Sequence, residues 1–338
     1  MTPTPGIQTM PEHSPEILPE GVQPRITLQD TDGQLPRYFS NGYRRYTEFQ
    51  PLAKGGAAIL QTCKDNNLGR IVVMKTLHPH LASHDYQRAR FLREARVTAQ
   101  LQHPNTVPVY ELGLDSNGHL YFTMKKITGQ TLRDILESQI ACDRQALETY
   151  NLDRLLGVLI QVCNSLAYAH AHGVVHRDVK PENIQIGSFG EVMLLDWGVA
   201  KVWALSDDDA FALMEHEELT AVGQRPGTPL YMSPEQVRGN GQIDARTDVY
   251  SIGCVLYEIL TLKEALRGKK IKETFDMIIN QRPMAPSARA PGRLIPDALA
   301  TICLRALEKD PGKRFQTMLA LITALRDFRS QALQSSTS

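Results

Sequence analysis

Eight residues, His176–Asn183 (HRDVKPEN), hold five ionisable side chains, a proline and a closing amide. The segment is too polar and too turn-like for the core of a strand. Asp178 and Lys180 stand two apart in it, an acid beside a cation. Alone, the string reads equally well as an exposed loop of solvated charges. The next signal shifts that balance. Beyond Asn183 comes LLDWG, which places a second acid, Asp196, after the apolar, strand-like run VMLL. An amide and an acid at this separation can bracket a hairpin, with both oxygens turned to one site. Such a site suits a hard divalent cation such as Mg²⁺.

Between Tyr46 and Leu120 the signals that could position these groups are short strands and one helix. RIVVMKTL is rich in β-branched residues. DYQRARFLREARVTAQLQ spaces its apolar residues for one buried helical face. HPNTVPVYEL breaks that helix and opens another strand, and LYFTMKKI is a further strand ending in lysines. From Thr131 onward helices dominate. LDRLLGVLIQVCNSLAYAHAHG sets Leu155, Leu159, Cys163, Leu166 and His170 on one stripe, and Gly173 supplies a stop. DVYSIGCVLYEILTL is apolar nearly all round, the mark of a buried helix. IPDALATICLRALEKDP and FQTMLALITALRDFRSQAL are amphipathic. The expectation is an α+β chain, a small β-rich lobe followed by a larger helical one.

Bulk properties exclude some alternatives. The chain has 338 residues, 42% hydrophobic and 22% charged, with zero formal net charge, so nothing electrostatic argues for a nucleic-acid or membrane partner. Cys63, Cys142, Cys163, Cys254 and Cys303 are scattered, with no C-x-x-C pair, and read as reduced thiols. The N-terminus lacks the basic and apolar regions of a secretory signal. No apolar run is long enough to span a bilayer. A soluble, cytoplasmic protein with no membrane anchor is expected. Residues 1–42, rich in proline and polar residues, read as a flexible arm, and 331–338 as a polar tail.

The pattern around Asp178 and Asp196 resembles the protein-kinase catalytic loop H-R-D-x-K-x-x-N followed by D-F-G, with Trp197 in the phenylalanine place. Other parts stand in order. VVMK supplies Lys75, FLREARV supplies Glu94, and HPNTV matches the following loop. GTPLYMSPEQ matches the end of the activation segment, DVYSIGCVLYEIL the buried helix of the large lobe, and DPGKRF the late motif holding Arg314. The resemblance runs over about residues 46–330. It is nearest to bacterial eukaryotic-type Ser/Thr kinases, and it implies a two-lobed fold over 43–330, with the N-lobe ending near 128.

That resemblance implies roles in phosphoryl transfer, with ATP and Mg²⁺ as cofactors. Lys75 would hold the α- and β-phosphates, and Glu94 would orient it. Asp196 and Asn183 would ligate Mg²⁺. Asp178 would align the acceptor hydroxyl, and Lys180 would steady the transferring group. The phosphate-covering loop would be LAKGGAAIL, with Ala53, Lys54, Gly55, Gly56, Ala57, Ala58 and Leu60. Ala53 and Ala58 replace two of the three glycines of the family pattern. Val73 would face adenine, Met124 would stand at the back of the pocket, and Lys125–Ile127, including Lys126, would form the hinge, with both lysines turned to solvent. Thr228 would help shape the acceptor site.

Arg177 would receive a phosphate on the activation segment, with Thr220 the candidate acceptor. A homodimer would then serve autophosphorylation in trans. His176, Asp248 and Glu235 would be scaffold. The main rival is a pseudokinase, a nucleotide-binding scaffold that the altered glycine loop would favour. A small-molecule phosphotransferase is a second rival, which GTPLYMSPEQ opposes because that segment builds a platform for a peptide acceptor.

Overall fold

The protein is described from a computed structural model. It describes residues 39–54, 57–198, 200–202, 229–239 and 243–336, with backbone alone at 54, 201–202 and 333–336. Gly55, Gly56, Thr220 and Thr228 lie outside the described residues, as does the arm up to residue 38.

The first lobe is a five-stranded antiparallel sheet. Its strands are β1 (Tyr46–Lys54), β2 (Ala58–Asp65), β3 (Arg70–Leu77), β4 (Val109–Leu114) and β5 (Leu120–Lys125), in the spatial order β1-β2-β3-β5-β4. One helix, α1 (Asp85–Gln100), joins β3 to β4. The period of two along β3 sorts its side chains. Val72 and Met74 join Tyr46, Cys63 and Tyr121 on the outer face. Leu77 joins Ala58, Phe122 and the helical Phe91 and Ala95 on the inner face. Lys75 shares the inner face by the same alternation, which turns it toward α1.

The second lobe begins with β6 (Gly129–Thr131), which pairs with the hairpin of β8 (Ile184–Gly187) and β9 (Val192–Leu194). Gly129 has φ +154°, and a Cβ there would lie 2.0 Å from the Ile186 carbonyl oxygen. Only glycine allows this approach. The helices are α2 (Leu132–Ile140), α3 (Arg144–Thr149), α4 (Leu152–Ala171), α5 (Pro234–Arg238), α6 (Ala245–Thr261), α7 (Ile271–Asn280), α8 (Pro286–Arg289), α9 (Asp297–Ala306) and α10 (Met318–Ser336). A two-residue strand, β7 (Val174–Val175), pairs with β10 (Lys201–Val202).

Local chemistry sets the helix ends. Thr131 and Asp134 form a capping box on α2, and Ser233 with Gln236 forms one on α5. Asn151 caps α4, and Gly173, at φ +73°, follows its end. The stripe Leu155, Leu159, Cys163 and Leu166 is buried, and α6 is buried from Thr247 to Thr261. One apolar cluster surrounds α4, α6, α9 and α10. The last helix runs on to Ser336, through the stretch expected as a polar tail. Arg329 donates to both oxygens of Asp153 at 2.8 and 2.9 Å, which ties α10 to α4. All five cysteines are free thiols, and only Cys142 is exposed.

Candidate active site

Two groups of polar side chains meet where the sheet faces the β8–β9 hairpin. The first belongs to the sheet and α1. Lys75 Nζ donates to Glu94 Oε1 at 2.5 Å and stands 4.0 Å from Asp196 Oδ1. Burial works against the ammonium, but Glu94 and Asp196 outweigh it and hold its pKa above the ordinary lysine value. Lys75 is therefore a fixed positive charge. Ala53 pairs with Leu60, and Leu60 pairs with Lys75, so the three form one line across β1, β2 and β3. Ala58 is buried in the inner cluster. Val73 pairs with Met124 across β3 and β5, on the inner side of the sheet. Lys125 and Lys126 are half-buried rather than turned freely to solvent.

The second group lies on the loop after β7. Lys180 Nζ donates to Asp178 Oδ2 at 2.6 Å. Asn183 Nδ2 donates to the Asp178 carbonyl at 2.8 Å and to Oδ2 at 3.2 Å. Burial opposes the Lys180 charge, but Asp178 outweighs it and raises the pKa. Asp196 shows the mirror case. The surrounding protein opposes its charge although the side chain is 47% exposed, but Lys75, Lys180, His176 and Arg90 together hold its carboxyl below the ordinary value. The hairpin joins the two arms, because Leu195 N donates to the Asn183 carbonyl at 2.8 Å. The spacing of an amide and an acid thus becomes a shared site through two short strands.

Backbone strain marks the residue before the first acid and the second acid itself. Arg177 has φ +70° and Asp196 φ +60°, a region that costs a side-chain-bearing residue about 1–2 kcal/mol. Asp248, wholly buried on α6, holds the first loop in place. Its Oδ2 accepts from His176 N and its Oδ1 from Arg177 N, both at 2.9 Å. The Arg177 carbonyl accepts from Gln236 Nε2 at 2.8 Å, which fastens α5 to the same loop. His176 packs on the fully buried Trp197, with ring centroids 4.5 Å apart. Glu235 and Arg314 form a buried two-pronged pair at 2.7 and 2.8 Å.

Sequence reasoning missed three participants. Arg90 lies four residues before Glu94, on the same helical face, and donates to the Gly198 carbonyl at 3.3 Å. The i, i+4 spacing was a usable signal. His170 Nε2 lies 2.8 Å from Asp248 Oδ2, a contact invisible in a stripe read as apolar. Arg133 reaches Glu182 at 3.0 Å, Glu258 at 2.6 Å and Tyr231 Oη at 2.5 Å. Its partner Glu258 is 125 positions away, and no local pattern could reveal that.

A β-rich lobe with a lysine–glutamate pair, set against a helical lobe with an acid, an amide and a second acid at one hairpin, defines a two-lobed ATP-dependent phosphotransferase domain. Residues 46–324 match the protein kinase domain, and the chain belongs to that family. It is 34% identical over 287 residues to the serine/threonine-protein kinase PknD of Chlamydia abortus, which covers 82% of this chain and 30% of the relative. It is 33% identical over 294 residues to the PknD of Protochlamydia amoebophila, covering 84% and 30%. The chain thus spans about a third of the length of these relatives.

ATP and Mg²⁺ are the nucleotide and metal of this domain. The donor set fits: a carboxylate held ionised at Asp196 and the side-chain oxygen of Asn183 are hard oxygen ligands, and Lys75 adds charge for phosphate. Among the described residues, no helix is long and apolar enough to cross a membrane.

Proposed function

We propose that the chain is a Ser/Thr protein kinase that moves the γ-phosphoryl group of ATP to hydroxyls of protein substrates in the cytoplasm. The observation that carries this reading is the meeting of the Lys75–Glu94 pair with Asp178, Lys180, Asn183 and Asp196 at one place. Lys75 binds the α- and β-phosphates, and Glu94 keeps it aimed. The segment Ala53–Ala58, which links β1 to β2, would cover the phosphates, and Leu60, Val73, Met124 and Lys126 would frame the base. Asn183 and Asp196 hold Mg²⁺, which neutralises phosphate charge when bound.

Asp178 takes the hydrogen bond of the acceptor hydroxyl and turns its oxygen toward the γ-phosphorus. As the phosphoryl group moves, Lys180 offers its charge to the equatorial oxygens. Lys180 on this loop, and Thr228 in GTP, favour serine and threonine acceptors over tyrosine. Arg177 receives a phosphate on Thr220, added in trans within a homodimer, and the charge-assisted bonds order the activation segment.

The test is incubation with Mg²⁺ and γ-labelled ATP, with and without a basic acceptor protein, beside Asp178→Asn. Transfer by the wild type and loss in the variant supports a kinase that uses Asp178. ATP binding without transfer in either would replace this reading with a nucleotide-binding scaffold. Mapping the label tests Thr220, and an active enzyme unmodified there removes that part.

A further inference from the structure

A hollow of about 360 Å³ lies on the large lobe where the C-terminal end of α6 meets the start of α4. Leu152, the first residue of α4, and Leu260 of α6 form two of its walls, and residues 292–295, between α8 and α9, form the rest. Its size falls within the range of small-molecule sites. Leu294 stands wholly exposed on the rim, so the hollow is reached from solvent. A Cβ added at Gly292 would meet nothing within 4 Å, so that position is open too. Leu260 lies about 18 Å along α6 from Asp248, which holds the Asp178 loop, and the hollow is separate from the phosphotransfer site.

Arg293 is the charged residue of this otherwise apolar lining. Its Nε donates to the Leu260 carbonyl at 2.8 Å and its Nη2 to the Ile259 carbonyl at 3.4 Å, so the guanidinium is fixed against the last turn of α6. Those carbonyls offer the partial charge of a helix end and no full counter-charge. Among the described residues, no carboxylate forms an ion pair with Arg293, and its Nη1 makes no hydrogen bond. Burial bears on it without help from any neighbouring charge. A half-buried arginine keeps its charge. Charge balance at this spot therefore calls for an anion, and the walls around it call for an apolar one.

We propose that this hollow binds a small monocarboxylate with an apolar body, of the medium-chain fatty-acid class. The carboxylate accepts hydrogen bonds from Nη1 of Arg293, and the alkyl chain covers Leu294 and lies along Leu152, Leu260 and Ile295. One cation balances one negative charge, which favours a carboxylate over a phosphate monoester carrying nearly two. The walls favour an alkyl body over a hydrophilic acid, because covering them takes apolar surface out of water.

The experiment is equilibrium dialysis of the full chain against labelled octanoate, with octan-1-ol as the uncharged comparison. Dialysis reads binding alone, so its outcome stands apart from the kinase reading. Octanoate is expected to bind the wild type roughly tenfold tighter than octan-1-ol, the worth of one charge-assisted contact. Leu294→Glu, at a wholly exposed position that the fold does not need, is expected to weaken octanoate binding roughly tenfold by setting a carboxylate beside that of the ligand. Arg293→Gln is expected to bring octanoate down to the level of octan-1-ol. No saturable binding of millimolar octanoate, equal binding of acid and alcohol to the wild type, or octanoate binding unchanged in Leu294→Glu overturns the proposal. If Arg293→Gln does not fold, the wild-type comparison and Leu294→Glu decide the matter.

Discussion

The two lobes are held together by different means. The small lobe divides its apolar residues between two modest clusters, one on each face of a single sheet. It closes its outer face with a polar web. Tyr46 Oη donates to Glu111 at 2.5 Å, Tyr121 Oη donates to Glu111 at 3.2 Å, and Arg45 donates to both oxygens of Asp65. The large lobe wraps one continuous cluster around α6, and its buried charges come in tight pairs anchored on that helix. The loop that carries Asp178 is thereby tied to the helix at the centre of the larger core, while Lys75 sits on the more thinly cored sheet. A thin core opens locally at lower free energy than a thick one. On the proposed reading, the acceptor side is then the fixed one and the nucleotide side the more yielding.

Replacing groups on each side tests that contrast. The largest effect belongs to chemistry. Asp178→Asn should lower phosphoryl transfer by roughly 10²–10⁴-fold and leave the unfolding midpoint nearly unmoved, as steady-state kinetics and denaturation would show. Next comes Arg314→Ala. It strands Glu235 in the interior of the large lobe and should cost about 3–5 kcal/mol. Thermal unfolding should fall by roughly 10 °C. Arg45→Ala removes one of two arginines beside the buried Asp65 and leaves Arg70 at 3.7 Å, so it should cost only about 1–2 kcal/mol. Equal losses for the two arginines in urea titrations would erase the difference between the lobes.

Acid should act on the same buried pair. Burial alone would raise the Glu235 pKa, but the hydrogen bonds and charge of Arg314 outweigh it and hold it below the ordinary 4.5. Its stabilising contribution is present above 4.5 and is lost as pH falls through the lower folded value. Glu235→Gln should therefore show a flatter loss of stability than wild type below about pH 4.5 when unfolding is followed against pH. The smallest effect lies on the surface. Cys142, just past the end of α2, is exposed and sits at φ +59°. Cys142→Gly should relieve this and gain up to about 1 kcal/mol in a urea titration.

Much of this was legible because it is local. The alternation in RIVVMKTL became β3 at Arg70–Leu77, and the stripe in the long apolar segment became the buried face of α4. The order of Lys75, Glu94, Asp178, Asn183 and Asp196 along the chain pointed to one site, and the structure brings them together. Arg133 was not legible, because a lone arginine at the start of α2 looks like any solvated charge until Glu258 and Tyr231 arrive from distant segments.

By itself the sequence determined the elements, the order of the chemical groups and the α+β division, because turn residues, caps and apolar spacing act over a few positions. Only the tertiary structure decided the charges. It set which buried carboxylate meets which guanidinium, that Lys75 lies within 4.0 Å of Asp196, and that Lys309 shares a ring with Arg314. The reason is physical: the worth of a charge depends on its distance to others and on how much water is left around it, and both are fixed only when the chain has closed.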